Sequence, residues 1–316
     1  MQIISAQLVR EAAERIKPLA RRTPVMTSRS VDERAGLQVF LKCENLQRSG
    51  AFKIRGASNL ILSLAPKQLE NGVVAFSSGN HAIATAIAAK HVGTQATIVM
   101  PEDAPRAKME ATRTLGSRII TYNRSLDDRE AMAARVLQET GGTLVPPFDH
   151  PMIMAGQGTT ALELLEDAPD IDALVVCISG GGLLAGCATI AKSIKPGIRI
   201  FGVEPELAND TALSMAAGER VTIPPPESIA DGLRSPAPGI LTFPVMQRHV
   251  ERILLVSEAE IRATVRFLLE RVKILVEPSG AVALAAVLFG MLPLEIKRVG
   301  VVLSGGNVDI DFLKTL

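Results

Sequence analysis

Short apolar runs that read as buried strands alternate along this chain with stretches of helical periodicity. Residues 72–77 (GVVAFS) precede a helical 82–91, residues 96–100 (ATIVM) precede 106–115, and residues 118–122 (RIITY) precede 126–139. The pattern resumes with 173–178 (ALVVCI) before 184–194, followed by apolar 198–203 and 300–303. Strands that are apolar on both faces and separated by helices belong to parallel sheets, because a parallel pair needs a long crossover and is covered by helices. The chain is therefore expected to be α/β. In such sheets ligands bind beyond the carboxyl ends of the strands. Three of these strands end in Gly/Ser turns, at 77–79, 179–182 and 304–306, which predicts one shared site.

Composition removes several classes. Hydrophobic residues make up 47% of the 316 positions, so a large core can be buried. The net charge is +1, and there are no long runs of like charge, no Trp and only one Tyr. Nucleic-acid binding through a basic patch or a stacking platform is not expected. Cys43, Cys177 and Cys187 have neither CxxC nor metal-ligand spacing, which suits a reducing compartment. The N-terminus reads as a turn and then an amphipathic helix, without the apolar centre of a signal peptide. No apolar run is long enough to span a bilayer. A soluble cytoplasmic protein is expected, with no membrane partner. The Pro-rich stretch 221–239 reads as an irregular surface loop, and 149–158 as a crossing between two lobes.

Four segments carry chemistry. Residues 179–183 (SGGGL) lie between a strand and a helix. Glycine lets the backbone approach a ligand, and consecutive amides at a helix start attract an anion. A plain tight turn is the alternative, and neither GxGxxG nor GxxxxGK[ST] fits. Residues 49–57 (SGAFKIRGA) set Lys53 among apolar neighbours. A partly buried lysine is held neutral more easily and becomes nucleophilic. Residues 77–81 (SSGNH) either cap the next helix or hold a carboxylate. Residues 304–307 (SGGN) close the last strand.

Together and in this order, these segments resemble the fold-type II pyridoxal-phosphate enzymes, specifically the serine/threonine dehydratase and serine racemase branch. The resemblance runs from RTPV at 22–25 through KCEN, FKIRGA, SSGNH, AGQGT, SGGGLLAG, ADG and EPSG to the terminal SGGN. It implies two open, mainly parallel sheet lobes flanked by helices, like the tryptophan synthase β subunit. A large cofactor-binding domain would comprise 1–66 and 149–316, and a small mobile domain 67–148. Lys53 would carry pyridoxal 5'-phosphate as a Schiff base and act as base at the substrate Cα. Gly180, Gly181, Gly182 and Leu183 would hold the phosphate. Phe52 would pack beside the ring, Asn80 would bond its 3-hydroxyl, and Ser304 would meet its nitrogen. Ser77, Ser78, Gly79, Asn80 and His81 would bind the substrate carboxylate, with Ser78 a second catalytic group on the opposite face. Glycine is common in the family where this chain has Ser179.

A serine at the ring nitrogen cannot hold it protonated as a carboxylate does, so the ring is a weaker electron sink. Prompt loss of a β-leaving group is then favoured over transamination. Two carboxylates and a carbonyl in VEPELAND, from Glu204, Ala208 and Asp210, suit Mg²⁺ or Ca²⁺, and their spacing resembles the cation site of the racemase-like members. The expected reaction is dehydration of L-threonine or L-serine to a 2-oxo acid and ammonia. A 3-hydroxyaspartate is admitted through His81 or His150. A racemase and a non-catalytic phosphate-ligand sensor are the competing readings. A homodimer is expected. Since the sequence stops at residue 316, control by an appended amino-acid-binding domain is not.

Overall fold

A computed structural model describes residues 3–316 except 78, 105, 124–126 and 128. After an N-terminal helix, Ala6–Arg15, come strands β1 (Val25–Met26) and β2 (Gln38–Cys43), with helix Arg29–Ala35 between them. It continues with β3 (Val73–Phe76), β4 (Ala96–Pro101), β5 (Arg118–Tyr122) and β6 (Thr143–Leu144). Strands β7 (Ala173–Cys177), β8 (Arg199–Pro205), β9 (Arg252–Val256) and β10 (Arg298–Leu303) complete the set. Among the described residues they form a six-stranded sheet, β1-β2-β10-β7-β8-β9, and a four-stranded sheet, β5-β4-β3-β6. Every pairing is parallel except that of β1 with β2. The α/β expectation from alternating strands and helices is met.

Strands β2 and β9 are not singled out by the apolar pattern. Strand β9 lies at the edge of its sheet, and its outward positions keep partial exposure. Such strands need not be apolar on both faces. Residues 151–158, within the expected crossing, open a helix, Pro151–Asp167. His150 caps it, its Nδ1 accepting from the Met152 amide at 3.1 Å, and Pro151 occupies its first position. The glycines of this stretch serve close packing. A Cβ on Gly156 would lie 2.3 Å from the Arg55 carbonyl oxygen, and one on Gly158 2.7 Å from that of Gly186. The helix thereby presses against both Lys53–Ser63 and Gly182–Ile194.

Most of the core lies about the larger sheet, while a second cluster joins Val73, Ala75, Ile98 and Met100 to Leu60, Ile61 and Ile153. At the base of the Lys53 helix is a buried ionic cluster. Arg55 donates to both oxygens of Glu44 at 2.8 Å and to both oxygens of Glu163 at 2.7 Å. Lys42 pairs with Glu163 at 2.6 Å, and Thr23 donates to Glu44. Burial opposes the charge on Arg55, but Glu44 and Glu163 more than offset it and hold the pKa above the usual arginine value. The cluster ties the end of β2, the Lys53 helix and the Pro151–Asp167 helix into one rigid corner. Among the described residues, no helix is long and apolar enough to cross a membrane.

Candidate active site

The turns after β3, β7 and β10 open onto one cavity of about 470 Å³. Lys53 and Phe52 reach it from a different direction. The segment leading to them runs beside the end of β10: the Phe52 amide donates to the Ser304 carbonyl at 3.1 Å, and Ala51 bridges Gly305. Of the site residues read from the sequence, Phe52, Lys53, Ser77, Gly79, Asn80, His81, Gly180, Gly181, Gly182, Leu183 and Ser304 all line this cavity. Ser78 lies outside the described residues. Glu204, Ala208 and Asp210 are not among the lining residues.

Three helices begin at the cavity: Lys53–Ser63, Asn80–Val92 and Gly182–Ile194. Among the described residues, none has a side-chain cap at its N-terminus. The first amides of a helix have no intrahelical partner, and the helix dipole adds partial positive charge. Three uncapped starts around one space make it a trap for anions. At the third, Gly181 has φ of +91°, a backbone region that L side chains rarely adopt. A Cβ there would also lie 2.6 Å from Met246 Cε and 2.8 Å from Thr242 Oγ1. Thr242 Oγ1 donates to the Gly180 carbonyl at 2.6 Å, which holds the loop from behind.

Lys53 is partly buried, and its Nζ donates to the Pro147 carbonyl at 2.8 Å. Desolvation pushes its ammonium down to about 8. Asn80 Nδ2 donates to Glu277 Oε1 at 2.6 Å, and Asn80 Oδ1 accepts from Asn307 Nδ2 at 2.8 Å. Asn307 also donates to the Ser49 carbonyl at 2.8 Å. This chain of side chains links the start of the Asn80 helix to the ends of the larger sheet and to the Lys53 segment. Ser304 is buried, with Oγ 3.4 Å from the Ser279 carbonyl oxygen.

His81 is buried, and its Nε2 lies 2.8 Å from the Val145 carbonyl oxygen. A carbonyl can only accept, so Nε2 carries the proton. Burial first, and then the nearby Lys53, push the imidazole down to about 3. His81 is therefore neutral and offers no charge to a substrate carboxylate. His150, the other basic partner expected for a 3-hydroxyaspartate, uses Nδ1 as a helix cap and is not among the residues lining the cavity. Sequence reasoning missed Cys177, Gln157, Phe148 and Arg234 as lining residues. Of these, only Cys177 had a visible signal, since it sits at the end of a strand already aimed at the site.

The cavity fits pyridoxal phosphate on three counts. The glycine turn and uncapped amides suit a dianionic phosphate. A desolvated lysine amine suits a covalent anchor. Among the described residues, the buried Oε1 of Gln157 has no hydrogen-bond partner, a polar position available to a ligand.

The fold and this site define a pyridoxal-phosphate enzyme. Residues 16–305 match the family described as pyridoxal-phosphate dependent enzyme, and the chain belongs to that family. It is 48% identical over 308 residues to L-threo-3-hydroxyaspartate ammonia-lyase of Saccharomyces cerevisiae, covering 98% of this chain and 94% of that protein. It is likewise 48% identical to serine racemase of Arabidopsis thaliana, covering 96% of this chain and 93% of that one. The solved structure of maize serine racemase superposes with a TM-score of 0.95 at 45% identity, covering 99% and 96% of the two chains.

Away from the cavity, Glu204 and Asp210 are buried. Glu204 accepts from the Thr211 and Ala212 amides at 3.2 and 3.0 Å, whereas neither carboxylate oxygen of Asp210 has a partner among the described residues. Burial pushes both groups up, and the charge of Asp210 adds to the effect on Glu204. Two buried carboxylates, with Asp210 close enough to raise the pKa of Glu204, form a donor set suited to a hard divalent ion. Among the described residues no cluster of three His, Cys, Asp or Glu side chains could hold a metal, so a third ligand here would have to be backbone or water.

Proposed function

We propose that this enzyme is an ammonia-lyase that removes the β-hydroxyl of a β-hydroxy amino acid and releases a 2-oxo acid and ammonia. The observation that carries the reading is the desolvated Lys53 amine opening onto the same cavity as three uncapped helix N-termini. Bound pyridoxal phosphate supplies an electron sink that makes the substrate Cα proton acidic. Lys53 would anchor the cofactor through Nζ and, once displaced by substrate, take the Cα proton. With its pKa near 8, about a tenth of the amine is neutral at pH 7, against less than about a thousandth for an ordinary lysine. The amides of residues 180–183 would hold the phosphate, Asn80 the ring hydroxyl, and Ser304 the ring nitrogen. The uncapped start of the Asn80 helix, with Ser77 and Gly79, would bind the substrate carboxylate. We assign 67–148 to a lobe whose closure excludes water from the site. Glu204, Asp210 and the Ala208 carbonyl would hold Mg²⁺ or Ca²⁺ as a structural ion.

Racemisation is the second reading, favoured by the high identity to proteins named serine racemase. It requires an acid–base group on each face of the substrate. Elimination from an L-substrate requires base catalysis on the Lys53 face only, with the departing hydroxyl protonated by the cofactor phosphate or a nearby acid, so dehydration is assigned as the main activity.

The test is release of 2-oxo acid from L-serine, L-threonine and L-threo-3-hydroxyaspartate, with chiral chromatography of the remaining amino acid. Lys53→Ala is expected to retain cofactor by dialysis but to lose turnover by several orders of magnitude. Near-normal turnover in Lys53→Ala would sink the mechanism. Faster formation of D-serine than of pyruvate would replace the lyase by a racemase.

A further inference from the structure

The cavity is poor in positive charge. Among the described residues that line it, the basic side chains are Lys53, His81 and Arg234, opposed by Asp103, Asp231 and Glu277. Lys53 is committed to cofactor and Cα, and His81 is neutral with its N–H held by Val145. Among the described residues lining the cavity, Arg234 is thus the cation that remains for a second substrate carboxylate.

Arg234 is also built to serve as one. It follows the short turn Asp231–Leu233, in the Pro-rich stretch read from the sequence as a surface loop. Its Nε donates to the Ser228 carbonyl at 2.7 Å, which fixes the guanidinium plane. Its two terminal nitrogens make no hydrogen bond or ion pair among the described residues. The turn itself is clamped. Glu258 accepts from Ser228 Oγ at 2.6 Å and from the Ile229 amide at 2.7 Å, and the Gly232 amide donates to Ser279 Oγ at 2.9 Å. A held guanidinium with free terminal N–H groups matches the fork of a carboxylate.

We propose that Arg234 receives the β-carboxylate of an acidic β-hydroxy amino acid, of the 3-hydroxyaspartate class, and so sets the substrate preference of the site. This inference deepens the ammonia-lyase reading and rests on it. L-Serine and L-threonine bring no group for Arg234. A 3-hydroxyaspartate brings a second negative charge into a space already lined by Asp103 and Asp231, and that charge is unfavourable without a facing cation.

The experiment uses the cofactor-loaded enzyme with Arg234→Gln and Arg234→Lys. Values of kcat and KM are measured for L-threo-3-hydroxyaspartate and L-serine. In Arg234→Gln, the ratio of kcat/KM for the acidic over the neutral substrate is expected to fall about ten- to a hundredfold, mainly through KM, the range for losing a charged hydrogen bond. Arg234→Lys is expected to lie between. A ratio in Arg234→Gln within twofold of wild type overturns the assignment, as does an equal loss for both substrates, the result if Arg234 only neutralises Asp231. Calorimetric titration with L-aspartate and L-alanine, which lack a β-hydroxyl, judges Arg234 without turnover. A wild-type preference for L-aspartate that vanishes in Arg234→Gln supports the assignment, and no such preference overturns it. Wild-type enzyme that releases no 2-oxo acid from either substrate refutes the lyase reading instead, leaving the titration to decide on Arg234.

Discussion

Replacing Lys53 by methionine removes a charge that the folded apoprotein accommodates poorly, so it should stabilise the protein while destroying its chemistry. The folded pKa of about 8 lies below the ordinary lysine value of 10.5. Between these values the unfolded chain binds more protons than the folded one, so stability rises with pH through that window. Below about pH 8 the full penalty applies, roughly 3 kcal/mol. At pH 10 it has fallen to less than about 1 kcal/mol by the same relation. The substitution also removes the 2.8 Å hydrogen bond to Pro147, worth about 1 kcal/mol. Apo Lys53→Met is therefore expected to be about 2 kcal/mol more stable than apo wild type at pH 7 and about equal to it at pH 10. Urea unfolding of the two apoproteins at both pH values measures this. A variant no more stable than wild type at pH 7, or a gain independent of pH, would refute desolvation as the source of the reactivity of Lys53.

Gly181→Ala meets both a positive φ and a crowded Cβ, and should cost about 2–4 kcal/mol and weaken pyridoxal-phosphate binding in an absorbance titration. Gly36→Ala, with φ of +70° and open space around its Cβ, is the control: about 1 kcal/mol lost and cofactor binding unchanged. Chelation should lower the thermal midpoint by a few degrees, with Mg²⁺ or Ca²⁺ restoring it, and Asp210→Ala should remove the response. An unaltered midpoint, with no ion found by elemental analysis, would count against the Glu204/Asp210 site.

The position of the cavity was legible because its signals are local. A strand, a Gly/Ser turn and a helix start are each encoded within about ten residues, and parallel sheets place such turns at one edge. The ionic cluster was not legible. Lys42, Glu44, Arg55 and Glu163 have the composition of a solvated surface, and only the meeting of β2 with two helices buries them. The partners of Asn80 were equally hidden, because Glu277 and Asn307 lie 197 and 227 residues away. The motif sets His81 in the lining of the cavity, but its lowered pKa follows only from burial against Val145 and from nearby Lys53.

The sequence alone determined the α/β architecture and offered the glycine turn for an anion, since both depend on short-range pattern, while the anchoring role of Lys53 came as a proposal from the family resemblance of the ordered motifs. The tertiary structure decided which charges survive in the site. Desolvation of Lys53, neutralisation of His81 and the approach of Arg234 all depend on what packs around a group, and those neighbours come from distant parts of the chain.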